Sequence, residues 1–238
     1  MRKSKVKMSS YSNKANEIYE CLDTPAYSIS VASRLSGINK WSVSRWLRGY
    51  KYAGGKQRPV VKSKIPPVLP YASFLDLIDL LFVKMFLDRG FSLQRVRKAL
   101  DDARDHLQTP HFARSNFFTS GRDIILQLPD DDYVALLRDG QRVIGEITKR
   151  FYDKLDFEEV TKHGFVCRWY PRGKDGLIVI DPQISFGRPT LIGYSVATSN
   201  IYDLYLGEKK QIEPVSEWFD IPAPMIQTAV HFEHSLWQ

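Results

Sequence analysis

Cysteine is nearly absent: the two present, Cys21 and Cys167, lie far apart, and neither belongs to a CxxC or Cys/His cluster. A disulfide framework and a thiolate zinc site are thereby excluded, and a reduced, cytoplasmic protein is expected. No apolar run is long enough to cross a bilayer. The opening, MRKSKVKMSSYSNK, is basic with no apolar stretch behind it, so a mobile arm is expected there and not a secretory signal. Catalytic signatures are missing too. His106, His111, His163, His231 and His234 make no HxxxH, HExxH or triad-like setting, and no GK[ST] accompanies the glycines. His231 and His234 share a face at i, i+3, which alone is too little for a metal. Neither a cofactor nor a metal is expected, and the chain reads as a non-enzyme.

The most informative absence is local. Between Asp23 and Asp76 there is no acidic residue, while Arg34, Lys40, Arg45, Arg48, Lys51, Lys56, Arg58, Lys62 and Lys64 supply nine positive charges. The formal net charge of +7 conceals this: residues 1–104 hold 20 Lys and Arg against 8 Asp and Glu, and residues 105–238 hold 14 against 19. A basic half and an acidic half suggest two kinds of partner, one of them a polyanion.

What is present is a folded composition, 43% apolar and 13% aromatic, on a chain of 238 residues that can bury one large core or two to three small ones. Within 28–64 the spacing is that of two helices packed at a steep angle. Ser28 is placed to cap the first, Ser33 is small where the second crosses, and Gly37 can take the positive φ of a tight turn. Ala32, Ile38, Val43, Trp46 and Leu47 are expected to close the core between them, which leaves Trp41, Ser44, Arg45 and Arg48 on the opposite face of the second helix. Asn39 and Lys40 stand at its N-terminus. After Gly49, YKYAGGKQRPVVKSK alternates aromatic, basic and β-branched residues around Gly54 and Gly55 and reads as a hairpin.

Further elements follow in order. Residues 16–22 suit a short helix ending before Pro25, and Pro66, Pro67 and Pro70 break regular structure. Ser73 caps an apolar core helix ended by Gly90; Ser92 caps a second, whose Leu93, Val96, Leu100, Ala103 and Leu107 share a face while Arg95, Arg97 and Lys98 form a solvated one. FFTSGRDIILQL and DYVALL suit strands, and Asp130, Asp131 and Asp132 between them read as a solvated turn, because three consecutive side chains cannot converge on one ion. Val143, Ile144, Ile147, Phe151 and Leu155 predict an amphipathic helix over 141–155, and GFVCRWYP a strand with Cys167 buried. A strand over 177–180 turns at Asp181 and Pro182 into a β-arch around RPTLI. Thr198 or Ser199 then caps a helix, Glu213–Phe219 forms a second that buries Val215, Trp218 and Phe219, and Pro224 opens a third. Residues 195–238 set Lys209 and Lys210 against Asp203, Glu208, Glu213, Glu217, Asp220 and Glu233, a balance suited to a basic protein surface and not to phosphate.

Two phrases resemble known families. YSISVASRLSGINKWSVSRWLRGY, the basic hairpin, and FLDLIDLLFVKMFLDRGFSLQRVRKAL together resemble the MerR-type winged helix-turn-helix over residues 27–107. The clustered cysteines of its metal sensors are missing, and Pro110 stands where other members continue into a long dimerising helix. IDPQISFGRPTLIGYSVATSNIYDLY with PVSEWFDIPAPMIQTAVHFE resembles, over 178–233, a module of small bacterial antitoxins that VapB-type members join to a MerR-like domain. These resemblances imply an α+β chain: an arm and short helix over 1–24, a MerR-like winged helix-turn-helix over 25–108, a small α+β middle region over 109–174, and a β-arch plus trihelical module over 175–238. They imply a type II antitoxin that neutralises a PIN-like ribonuclease toxin and represses its own operon as a homodimer on a palindromic operator.

On this reading Arg45, Arg48, Lys40, Asn39 and Ser44 approach bases, and Arg34, Lys51, Lys56, Arg58 and Lys62 hold phosphates. Trp41 either stacks on the DNA or tucks under the hairpin. Glu213 and Glu217 are candidates for direct toxin contact, with Trp218, Phe219, Ile226 and Phe232 beside them. Because the sequence ends at Gln238, the folded module and not a threaded tail is expected to hold the toxin. A ligand-responsive MerR-like regulator, with residues 112–238 as sensor, is the alternative.

Overall fold

The computed structural model describes residues 20–107, 111, 117–120, 123–127, 133–137, 153–157 and 165–237. The chain mixes helices with small sheets and divides into two units: Met1–Tyr152 with Phe157–Val166, and Asp153–Asp156 with Cys167–Gln238. The expected helix over 16–22 is described only from Glu20, and residues 20–23 are helical. Asp130, Asp131 and Asp132 lie outside the described residues.

In the first unit, β1 (Tyr27–Ser28) leads into α1 (Ile29–Ser36), whose N-terminus is capped by the Ser28 hydroxyl accepting from the Val31 amide at 3.3 Å. Gly37 ends α1 at φ 64°. In the same turn the Ser33 hydroxyl donates to the Ile38 carbonyl at 2.6 Å, and Ser36 donates to the Ala32 carbonyl. The Asn39 side chain then caps α2 (Lys40–Arg48), accepting from the Ser42 amide at 2.8 Å. Ala32, Ile38, Val43 and Leu47 are buried between α1 and α2 as expected. Trp46 is half-buried, and its carbonyl accepts from the amides of Val60 and Val61, which carry the chain back into the core.

Gly49 ends α2 at φ 70° and turns directly into the hairpin of β2 (Tyr50–Tyr52) and β3 (Gly55–Gln57), where Tyr50 pairs with Gln57. A Cβ at Gly49 would run into the Gln57 carbonyl oxygen. Only glycine lets the hairpin close this near the helix end. β4 (Tyr71–Ala72) pairs antiparallel with β1, and Ser73 opens α3 (Phe74–Asp88) in a capping box with Asp76.

Helix α3 is mostly apolar and is buried from Phe74 to Phe86 except at Lys84, which pairs with exposed Asp88 at 3.1 Å near the helix end. It packs against α1, α2 and α4 (Leu93–Leu107), and α4 in turn meets β7 (Tyr133–Leu137) of a three-stranded antiparallel sheet with β5 (Phe117–Ser120) and β6 (Asp123–Gln127). The Ser92 hydroxyl accepts from the Arg95 amide at the start of α4.

Two carboxylates interrupt the apolar surface of α3, and both are fully buried. Asp76 accepts from the Ser63 hydroxyl at 2.6 Å and from the Ser73 amide at 3.0 Å. Asp79 lies 2.9 Å from Nδ1 of buried His111, whose Nε2 lies 3.1 Å from Asp23, and Asp23 meets Lys64 at 2.6 Å. Buried Arg104 on α4 donates to the Val60 carbonyl at 2.5 Å and to Asp101. One network therefore ties the turn at Asp23, the segment 60–64, α3 and His111. Burial pushes the Asp76 and Asp79 carboxyls up. Burial would also raise Asp23, but His111 and Lys64 bring it below its ordinary value. Burial opposes the charge on His111, yet hydrogen bonds to Asp23 and Asp79 raise it to about 10. With a carboxylate at each ring nitrogen, we assign His111 as imidazolium at neutral pH.

β8 (Leu155–Phe157) pairs with β9 (Val166–Trp169), and both strands lie in the second unit except for their end residues Phe157 and Val166; that unit also contains β10 (Ile178–Val179) paired antiparallel with β11 (Thr190–Leu191), and the helices α5 (Thr198–Gly207), α6 (Glu213–Phe219) and α7 (Ala223–Ser235). Ile201, Val215, Ile221, Ile226, Ala229 and Phe232 form the helical core, and Cys167 is buried as expected. Asp181 accepts from Arg168 at 2.6 Å and from the Gln183 amide at 2.8 Å, which fixes the turn after β10.

Three expectations are corrected. Leu155 stands in a strand, and residues 141–152 of the helix expected there lie outside the described residues. Neither Thr198 nor Ser199 caps α5: Thr198 is buried, and its hydroxyl is engaged by the buried Glu233 carboxylate and the Pro189 carbonyl. Trp218 is 76% exposed, because the seven residues of α6 bury only the Val215 side.

A raised histidine pKa stabilises the fold fully below the unfolded value of about 6.5, and the contribution is lost as pH rises through the folded value. The melting temperature of the first unit should therefore fall from pH 6.5 toward about 10. His111→Gln should be less stable by about 3 kcal/mol and lack this decline. Differential scanning calorimetry across that window checks both; parallel curves for the two proteins would contradict the assignment.

Candidate nucleic-acid interface and an exposed acidic helix face

The hairpin and α2 are joined by a stack. The Arg45 guanidinium lies 3.8 Å from the Trp41 ring centroid and 3.2 Å from that of Tyr50, so a cation bridges the first strand of the hairpin to the helix. Tyr50 in turn lies 6.0 Å from Tyr52. Trp41 is 67% exposed and is therefore not tucked under the hairpin. Such a stack holds a planar, permanently charged group in one orientation at the surface.

The expected phosphate and base contacts differ in how free they are. Lys40, Lys51, Lys56 and Arg58 are exposed and form no ion pair among the described residues. Arg48 and Lys62 are partly committed. Arg48 Nη2 donates to the Leu69 carbonyl at 2.9 Å, and Lys62 lies 3.5 Å from Asp101. Asn39 is exposed, with its carbonyl oxygen used by the helix cap. Arg34 and Ser44 are half-buried. The charged residues brought together on α2 and the hairpin can neutralise phosphates, and the stacked arginine adds a planar donor beside them.

The loop between the hairpin and β4 is a feature that sequence reasoning missed. Val68 is 84% exposed, Leu69 41% and Tyr71 44%. The prolines around them announce only a break in regular structure. Nothing in periodicity predicts a loop that displays its apolar side chains.

In the second unit, Glu213 and Glu217 are exposed one turn apart on α6, beside exposed Trp218 and half-buried Phe219. Ile226 and Phe232 are buried in the helical core and present no surface. Phe186, 87% exposed at a positive φ of 57°, is a further displayed aromatic that the sequence did not single out. Among the described residues no group of three or more His, Cys, Asp or Glu side chains is arranged to hold a metal, and no helix is long and apolar enough to cross a membrane.

Arg45→Lys keeps the charge and removes the planar stack, so the amides of Tyr50–Tyr52 and Gly55–Gln57 should exchange with solvent about three-fold faster. Hydrogen-exchange mass spectrometry checks this, and unchanged protection would mean that the stack does not hold the hairpin.

Comparison with known proteins gives two relatives from Mycobacterium tuberculosis. The chain is 23% identical over 197 residues to a protein named "Putative antitoxin VapB45", covering 75% of this chain and 82% of that one. It is 25% identical over 226 residues to "Uncharacterized protein Rv2308", covering 89% of this chain and 91% of that one. Among solved structures, the crystal structure of Rv2018 from the same organism matches with a TM-score of 0.59 at 18% identity, over 88% of this chain and 99% of that chain, which is a likeness of fold. No family model matches.

Proposed function

We propose that the chain is a cytoplasmic, DNA-binding antitoxin whose two units have separate tasks. The observation that carries the antitoxin reading is the alignment, over three quarters of the chain, with a protein named as an antitoxin of VapB type. The division of charge says which unit does what. In the first, a MerR-like winged helix-turn-helix offers α2 to a major groove and the β2–β3 hairpin to the flanking backbone, with Lys40, Lys51, Lys56 and Arg58 exposed for phosphates. Arg45, oriented by Trp41 and Tyr50, is the base reader, and a homodimer on a palindromic operator is the arrangement such a reader requires.

In the second unit, α6 presents Glu213, Glu217 and Trp218 to a toxin of PIN-like ribonuclease type. An exposed tryptophan on the same short helix as two exposed carboxylates matches a basic protein face with an apolar pocket. An acidic surface of this kind repels phosphate and leaves operator binding to the first unit.

The two tasks predict separable variants. Arg45→Ala should lower operator affinity at least ten-fold and leave neutralisation intact. Glu217→Lys combined with Trp218→Ala should restore toxicity of the neighbouring reading frame's product on co-expression and leave operator affinity unchanged. Growth of co-expressing cells and anisotropy of a labelled upstream duplex check the pair. A neighbouring product that is harmless alone, or operator affinity that responds to a small molecule with no protein partner, would turn the reading toward a ligand-responsive regulator.

A further inference from the structure

We propose that the proline-rich loop over 66–70 is an apolar wedge that enters the minor groove and opens a base step beside the groove occupied by α2. The inference rests on the DNA-binding reading of the first unit. Three observations carry it. First, Val68, Leu69 and Tyr71 are displayed to solvent in one short stretch, within the segment 24–75 that holds nine cations and no acid. Exposed apolar groups gathered in this way mark a contact surface.

Second, the loop is tied down at both ends. The Leu69 amide donates to the Pro66 carbonyl at 2.9 Å to close a turn, Ile65 anchors the loop in the core, and the Ile29 amide donates to the Pro70 carbonyl at 3.1 Å. Pairing of Tyr71 with Ser28 fixes its far end. Pro66, Pro67 and Pro70 restrict the backbone further. Little ordering remains to be done on contact, which is what insertion into a stacked duplex demands.

Third, the loop is fastened to the helix that would read the DNA. Arg48, in the last turn of α2, donates to the Leu69 carbonyl at 2.9 Å. A side chain that the sequence offers as a base reader instead holds the tip in place. Charge selects the occupant. A second copy of the loop would bring its own cations against those of the first, whereas a duplex supplies the opposite sign together with an apolar base stack. Insertion favours steps that unstack easily, so pyrimidine–purine steps should be preferred at a position that receives no hydrogen bond.

The probes are the duplexes that the wild-type protein enriches from a random-sequence pool. With end-labelled versions, Val68→Ser combined with Leu69→Ser should lose most of the bend seen by energy transfer, lose the enriched pyrimidine–purine step, and bind about ten-fold more weakly with the salt dependence unchanged. In the wild-type complex, 2-aminopurine at that step should brighten on binding, a readout that needs no variant. Equal bending by wild type and variant, or unchanged 2-aminopurine fluorescence, overturns the wedge and leaves DNA binding standing. A wild-type protein that enriches no duplex overturns the DNA-binding reading itself, and the wedge with it. Self-association abolished by the double substitution with bending intact would assign the tip to a second copy and also overturn the wedge.

Discussion

Two carboxyl groups buried inside an apolar helix are the constraint on which the first unit depends. Asp76 and Asp79 sit on α3 among Leu75, Leu77, Ile78 and Leu80, with no solvent to stabilise them. A buried carboxyl is costly unless it is hydrogen-bonded, so the chain must bring partners to them. Ser63, Ser73 and His111 are those partners, and His111 extends the network to Asp23 and from there to Lys64. Segments far apart in sequence are thus bound to one helix by polar contacts with fixed geometry. Apolar packing alone would specify their positions less sharply.

The consequence appears at the surface. The segment 60–64 is held from below by Asp76, by Asp23 and by Arg104, and from beside by the Trp46 carbonyl. It is the root of both the basic hairpin and the proline-rich loop. The acids that neutralise this region are spent on the inside, on Ser63, His111 and Lys64, which leaves Lys40, Lys51, Lys56 and Arg58 exposed without a counter-charge among the described residues. A rigid, unneutralised basic surface is what a polyanion binder needs, and the second unit places its carboxylates on a different module.

Local chemistry was legible in the sequence. Ser28, Gly37 and Ser73 declare themselves through residue type and spacing alone, and each performs the cap or turn expected of it. The small core of Ala32, Ile38, Val43 and Leu47 followed from helical period. What escaped was set by partners distant in the chain. Asp76 and Asp79 look like ordinary solvated breaks in a periodic helix until Ser63 and His111 are brought to them, and Thr198 resembles a cap until Glu233 meets its hydroxyl. In a helix as short as α6, spacing cannot separate the buried side from the exposed one, which is why Trp218 was misplaced. Ile226 and Phe232 were legible as core and illegible as surface, and the Arg48–Leu69 contact has no local signature.

On the proposed function, the basic surface of the first unit holds phosphates. The most direct measurement is the salt dependence of binding to a labelled duplex from the upstream region of the protein's own gene. With Lys40, Lys51, Lys56 and Arg58 each releasing a counterion, the logarithm of the affinity should fall against the logarithm of salt with a slope of about −4 per protomer. A slope near zero, or no binding at low salt, would contradict the account.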